Sequence, residues 1–178
     1  MEELFLAEVS KEHEAEALRY KRDYIEHGEA RINGSGGFIR YPDYDAWLAS
    51  IKQAKCREIS ECETPATTYF TVRASDGKIV GTIQLRHHLT EELLRDGGSI
   101  GYGVCPSERG KGYGVRQLAL LLPKARALGL TRVLITCLKS NRASAAVAMR
   151  NGGVLGGEGY DEERDAVTEM YWIDLTQA

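Results

Sequence analysis

The sequence predicts a single α/β (α+β) domain in which a mixed, mostly antiparallel central sheet is flanked by helices. Three observations lead there. The chain has 178 residues, a length that one hydrophobic core ordinarily serves. Short runs rich in Val, Ile, Thr, Tyr and Phe alternate with longer stretches of helical spacing. No internal repeat and no low-complexity tract interrupts them, so solenoid and array folds are set aside.

Residues 4–9 read as a short strand. A helix follows, with Ala15, Leu18 and Ile25 spaced for one apolar face and His27-Gly28 closing it. Residues 31–42 (RINGSGGFIRYP) lack periodicity and form a glycine-rich loop, either a mobile cover over a site or a plain connector. Residues 45–56 resume helical spacing through Trp47, Leu48 and Ile51. Residues 67–86 are two β-rich runs around Ser75-Asp76-Gly77-Lys78, a hairpin signal. A further strand over residues 99–105 stops at Pro106 and leads through RGKGYG into a helix over residues 113–128. Pro123 inside that helix lacks an amide donor and crowds the carbonyl of Ala119, so a kink or break is expected there, with Gly129 as the stop. Residues 132–137 (RVLITC) form a buried strand. Ser140-Asn141 start a helix that ends at Gly152-Gly153. Residues 167–175 form a last strand, and the acidic run Asp161, Glu162, Glu163 and Asp165 before it is a solvated turn or an attractor of a cationic amine.

Composition narrows the function. With 43% apolar and 28% charged residues the chain can bury a core, and 23 basic against 26 acidic residues leave a net charge of −3. No global basic field is available for a phosphate backbone, so no nucleic-acid partner is expected. Cys56, Cys62, Cys105 and Cys137 form no C-x-x-C pair and the four histidines no H-x-x-x-H pair, so no metal site is expected. The N-terminus MEELFLAEVSKEHEAE is unlike a signal peptide, and no run approaches the ~20 apolar residues of a membrane helix. A reduced, soluble, cytoplasmic protein with no membrane partner is the expectation.

The segment that carries chemistry is GYGVCPSERGKGYG, residues 101–114: a strand, a proline stop, a glycine-rich turn and a helix start. Unpaired amides and the positive end of the helix dipole stabilise an anion there. Gly110, Gly112 and Gly114 let a ligand approach the main chain, and Arg109 and Lys111 add charge suited to phosphate oxygens, so a pyrophosphate fits. A P-loop is excluded because Gly112 follows Lys111 where Ser or Thr is needed. The dinucleotide fingerprint G-x-G-x-x-G is missing as well.

RGKGYG resembles the R/Q-x-x-G-x-G/A loop of the GNAT (GCN5-related) family of acetyl-CoA-dependent N-acetyltransferases, through Arg109, Gly112 and Gly114. The resemblance spans residues 80–154 and is most specific in SIGYGVCPSERGKGYG and LITCLKSNRASAAVAMRNGG. It implies a GNAT fold over residues 1–178, with a variable substrate-side region (1–66), an acetyl-CoA-binding core (80–154), and a splayed strand pair ending near Cys105 and Cys137 that binds CoA. Tyr102, Gly103 and Val104 would offer main-chain groups to the pantetheine and acetyl carbonyl. Arg109, Gly110, Lys111, Gly112, Tyr113 and Gly114 would hold the pyrophosphate, and Asn141 and Ser144 would face the pantetheine. Asn141 and Ser144 are equally readable as a helix N-cap with a first-turn hydroxyl, and the two roles are compatible.

The implied partners are acetyl-CoA and an amine, with no metal, and a homodimer is compatible with the family. The reaction would be direct attack of an unprotonated primary amine on the thioester. Many members carry a glutamate on the strand before the asparagine and a tyrosine seven residues after it, as base and acid. Thr136 and Ala148 stand there instead, so those roles do not transfer. His88, at the end of the strand over residues 79–86, is the candidate base by strand alternation, with His87 on the other face, although two exposed histidines at a strand end explain the pair as well. Tyr102 and Tyr113 are candidate acids or packing residues, and Cys105 and Cys137 read as small buried apolar residues more readily than as acyl carriers. A CoA-binding sensor or scaffold without chemistry, or an acyltransferase using another acyl donor, are the alternatives.

Overall fold

The computed structural model describes residues 2–60 and 63–176, so Cys62 lies outside the described residues. In chain order the elements are β1 (Leu4–Glu8), α1 (Glu14–Glu26), α2 (Tyr44–Lys55), β2 (Ala66–Arg73), β3 (Ile79–Arg86), α3 (Glu91–Asp96), β4 (Ile100–Val104), α4 (Tyr113–Ala127), β5 (Arg132–Leu138), α5 (Arg142–Arg150), β6 (Val154–Asp161) and β7 (Ala166–Asp174). Two antiparallel sheets result, in the orders β1-β2-β3-β4 and β5-β7-β6. Among the described residues they are hydrogen-bonded to each other at the starts of β4 and β5, where the Ser99 amide donates to the Leu134 carbonyl (2.7 Å) and the Leu134 amide to Ser99 Oγ (3.0 Å). Beyond that point no ladder joins the two strands, which is the expected splay.

Gly98 explains why the joint can form. Its φ is +68°, and a Cβ on it would come within 2.7 Å of the Leu134 carbonyl oxygen, so only glycine lets the two backbones meet.

Helices cover both faces of the first sheet. Leu118, Leu121 and Ala125 of α4 pack on Ile83, Leu85 and Ile100, and the same cluster continues to Val133, Ile135, Tyr171 and Ile173 of the second sheet. On the opposite face Tyr20 and Tyr24 of α1 and Trp47, Leu48 and Ile51 of α2 pack with Phe38, Phe70 and Val72. Double coverage makes β2 buried along its whole length.

Three sequence expectations change. The buried face of α1 is Ala17, Tyr20 and Tyr24, while Ala15, Leu18 and Ile25 are exposed. Tyrosines can lie inward here because their hydroxyls find partners: Tyr20 with Thr82 Oγ1 (3.1 Å) and Tyr24 with the Val104 carbonyl (2.9 Å). Helix α4 runs unbroken through Pro123, which is exposed together with Ala119, so water can satisfy the carbonyl that the proline leaves without a donor. The glycine-rich loop is built in as fixed cover. Phe38 stacks on Trp47 with ring centroids 4.1 Å apart, and the Trp47 indole donates to the Ser35 carbonyl (2.8 Å). Helix α3 and strand β6 are additions to the elements expected from the sequence.

Candidate active site

The opening between β4 and β5 is a cleft of about 830 Å³. One wall is residues 100–104 of β4, the other is residues 136–138 of β5 with Asn141, Ser144 and Val147, and the floor at one end is Gly110, Gly112, Tyr113 and Gly114.

Strand alternation decides which main-chain groups of β4 face the cleft. The Arg86 amide bonds the Ser99 carbonyl, and the Cys105 amide bonds the Val80 carbonyl, so odd positions pair with β3. Tyr102 and Val104 therefore turn their main-chain groups outward. The Val104 carbonyl is already taken, by the Tyr24 hydroxyl and by Arg109 Nε (3.2 Å), which leaves the Val104 amide and both groups of Tyr102 for a ligand. Gly103 contributes differently from the sequence expectation. Its ladder groups point to β3, and a Cβ on it would strike the Asn33 carbonyl and the Tyr24 hydroxyl, both at 2.8 Å.

At the end of the cleft the first amides of α4 have no intrahelical partner, and Gly112 caps the helix with φ +78° and no side-chain bond. A Cβ at Gly110 or Gly112 would meet nothing within 4 Å, so both positions present open backbone to the cleft. Such a cradle fits a pyrophosphate.

The two basic side chains of the loop are engaged by acids. Arg109 forms a two-pronged pair with Glu29 (2.5 and 2.9 Å), which raises its pKa further. Lys111 Nζ lies 2.7 Å from Glu108, a buried carboxylate that also holds Arg73 (3.0 Å) and Lys78 (2.7 Å). Burial alone would raise the Glu108 pKa, but hydrogen bonds from Lys111, Lys78 and Arg73 hold it at about 2. Neither Glu29 nor Glu108 was singled out from sequence. Glu108 adjoins the motif, whereas Glu29 carries no local signal.

Across the cleft, the Tyr102 hydroxyl lies 2.9 Å from Ser144 Oγ and donates to the Ser144 carbonyl (3.1 Å), with its pKa pushed up by burial. Asn141 Oδ1 accepts from the Ser144 amide (3.1 Å), so Asn141 is the N-cap of α5 and also lines the cleft. Tyr113 turns its hydroxyl away to Arg73 Nη1 (3.1 Å) and Glu2.

Thr136 lines the cleft, and Ala148 is buried in the core. The structure does not bring His88 to the cleft: its side chain is exposed beyond the end of β3, and only its amide is engaged, by Thr64 Oγ1 (2.9 Å). His87 bonds Thr67 (2.8 Å) and has its pKa lowered by burial and by Lys55. Cys105 donates to Asp23 (2.8 Å) outside the cleft, and burial with that neighbour pushes its thiol up to about 11. Cys137 lines the cleft with its pKa raised by burial. The acidic run is a turn after β6 whose Glu163 pairs with Arg31 (2.5 Å) of the glycine-rich loop. Among the described residues no group of His, Cys, Asp and Glu could hold a metal ion, and no helix is long and apolar enough to cross a membrane.

Residues 4–154 match the acetyltransferase (GNAT) domain. The chain belongs to the GNAT acetyltransferase family. Its donor co-substrate is acetyl-CoA, and the fold agrees with solved structures. The ribosomal-protein-S5-alanine acetyltransferase from Vibrio fischeri superposes with a TM-score of 0.71 at 16% identity, covering 99% of this chain and 96% of that one. The Salmonella typhimurium acetyltransferase that modifies the N-terminal serine of ribosomal protein L7/L12 gives 0.70 at 18% identity, covering 96% and 94%. The microcin C7 self-immunity acetyltransferase, solved with acetyl-CoA and AMP, gives 0.67 at 17% identity, covering 97% and 92%. No curated protein sequence matches the chain. In this acetyltransferase the splay between β4 and β5, the glycine cradle at α4 and the outward groups of Tyr102 and Val104 form one continuous wall.

Proposed function

We propose that the protein transfers the acetyl group of acetyl-CoA directly to a primary amine, and that the cleft between β4 and β5 is where it does so. The carrying observation is the cradle at its end: open glycine backbone at Gly110 and Gly112 beneath the free amides of α4, continuous with the outward-facing main chain of β4.

Acetyl-CoA supplies an activated thioester carbonyl. The amides of residues 110–114 bind the pyrophosphate, with Lys111 and Arg109 adding charge at its edge. The Tyr102 and Val104 amides orient the pantetheine and donate to the carbonyl oxygen as negative charge develops there. Asn141 and Ser144 flank the pantetheine from α5. Among the described residues no imidazole lines the cleft, and its two carboxylates are committed to cations, Glu29 to Arg109 and Glu108 to Arg73, Lys78 and Lys111. The amine therefore loses its proton to water as it is desolvated in the cleft, with its own pKa setting the pH response.

The two ribosomal-protein acetyltransferases of similar fold make a peptide N-terminus one acceptor class to try first. Thiol release from acetyl-CoA over a panel of peptides, amino acids and polyamines tests the reading, with calorimetric binding of acetyl-CoA alongside. Binding without release for every amine would favour a CoA-binding sensor, and release only with another acyl-CoA would favour a different donor. Absence of both binding and release would overturn the proposal.

A further inference from the structure

A second cavity of about 350 Å³ lies beside the cleft, between α2, the ends of β2 and β3, and α3. Arg86 lines both. It closes β3, is partly buried, and donates from Nη1 to the carbonyls of Gly97 and Gly98, each at 2.9 Å. Among the described residues its Nε and Nη2 make no hydrogen bond, and no carboxylate lies within ion-pair distance. Arg31, Arg109 and Arg164, in the same cleft, each hold an acid. Arg150 holds none but is exposed to water.

A guanidinium stays protonated in a protein, so Arg86 is a fixed positive charge with part of its hydration removed and two donor positions unused. Burial lowers its pKa. An oxyanion presenting two oxygens is the group that saturates such a fork.

Position sets the distance. The Arg86 guanidinium is held at the Gly98 carbonyl, and Tyr102 lies four residues further along the chain, about 13 Å at the usual strand rise, less about 3 Å for the hydrogen bond at either end of a bound acceptor. Resting on the acetyltransferase reading above, we infer that the acceptor is a primary amine that also carries a carboxylate about 7–10 Å from its nitrogen, and that Arg86, between the two cavities, binds that carboxylate. Arg86 is then a specificity-determining residue. Acceptors bearing only positive charge meet an unopposed cation at that end of the cleft.

The test uses ω-aminoalkanoates of three to eight carbons, their primary amides as neutral partners, and spermidine as a cationic control, followed by thiol release. At the favoured length, near six or seven carbons, kcat/KM for the acid exceeds that of the amide by about ten- to a hundred-fold, the worth of a hydrogen-bonded charge pair. In Arg86→Gln the ratio falls towards one, and Arg86→Lys keeps part of it. Should Arg86→Gln fail to fold, the wild-type length series and Arg86→Lys still decide. Equal rates for acid and amide at every length, spermidine outpacing all the acids, or a ratio that survives Arg86→Gln would each overturn the inference. So would binding of acetyl-CoA with no turnover of any ω-aminoalkanoate. Absence of acetyl-CoA binding marks a different failure, that of the transferase reading itself.

Discussion

The Tyr102 hydroxyl on β4 lies 2.9 Å from Ser144 Oγ in the first turn of α5, and so ties the first sheet to that helix across the cleft. Since the same hydroxyl also donates to the Ser144 carbonyl, Ser144→Ala leaves one partner in place and Tyr102→Phe removes both. Tyr102→Phe should lower stability by about 1 kcal/mol, or ~2–4 °C in Tm, and Ser144→Ala by less. Thermal melts of the two single variants and the double variant give the coupling, and additive effects would show that the bridge contributes nothing.

Gly112 and Gly114 should separate when each is changed to Val. Gly112 sits at φ +78° with open space around a Cβ, so a side chain there strains the cap by about 1 kcal/mol and protrudes where the pyrophosphate is read. Gly114 faces Val147, whose Cγ2 would lie 3.0 Å from a Cβ. The expected outcome is a large loss of acetyl-CoA affinity for Gly112→Val with a modest Tm change, and a larger Tm loss for Gly114→Val. Calorimetric titration paired with melts checks both.

Glu108→Gln should destabilise the protein, by on the order of 3 kcal/mol, because it leaves Arg73, Lys78 and Lys111 around a neutral group. The folded pKa of Glu108, about 2, lies below the ordinary 4.5. Its contribution is therefore fully present above the unfolded value and is lost as pH falls through the folded one, between about pH 4.5 and 2. Denaturation curves of wild type and Glu108→Gln should converge across that window. Parallel curves would show that Glu108 does not titrate this way.

Turnover should rise with pH towards the pKa of the chosen amine and shift with that pKa across a series of acceptors. His88→Ala should change kcat less than twofold, since the side chain is exposed outside the cleft. A limb of the wild-type pH profile that disappears in His88→Ala would restore the histidine as base.

Local signals carried well into the fold, and cross-chain pairing did not. The hairpin at residues 75–78, the α2 face of Trp47, Leu48 and Ile51, and the loop between Pro106 and Gly114 were legible because turn chemistry and periodicity act within a few residues. The inward face of α1 was not, because Tyr20 and Tyr24 are buried by hydroxyl partners on β3 and β4, 62 and 80 residues away. The donor cleft was readable from RGKGYG, whereas Glu29 reaches Arg109 across 80 residues. In the sequence Arg86 only closes a β-rich run, and the carbonyls of Gly97 and Gly98 and the two adjoining cavities give it a role. His88 was displaced by the same limit, since alternation assigns a face only while the strand lasts, and β3 ends at Arg86.

The break in the ladder between β4 and β5 is not matched by a break in the apolar interior. One cluster runs from Tyr69, Ile83 and Leu85 through Leu118 and Leu121 to Val133, Ile135 and Tyr171, so α4 fastens both sheets across the gap. The two leaves share that buried cluster through the helix, so neither can lose it without exposing the other's side of it. Melting should therefore be all-or-none, with calorimetric and van't Hoff enthalpies in agreement, even though the leaves are free of each other's backbone along the cleft. A ligand seated there can work against a gap that opens without loosening the fold.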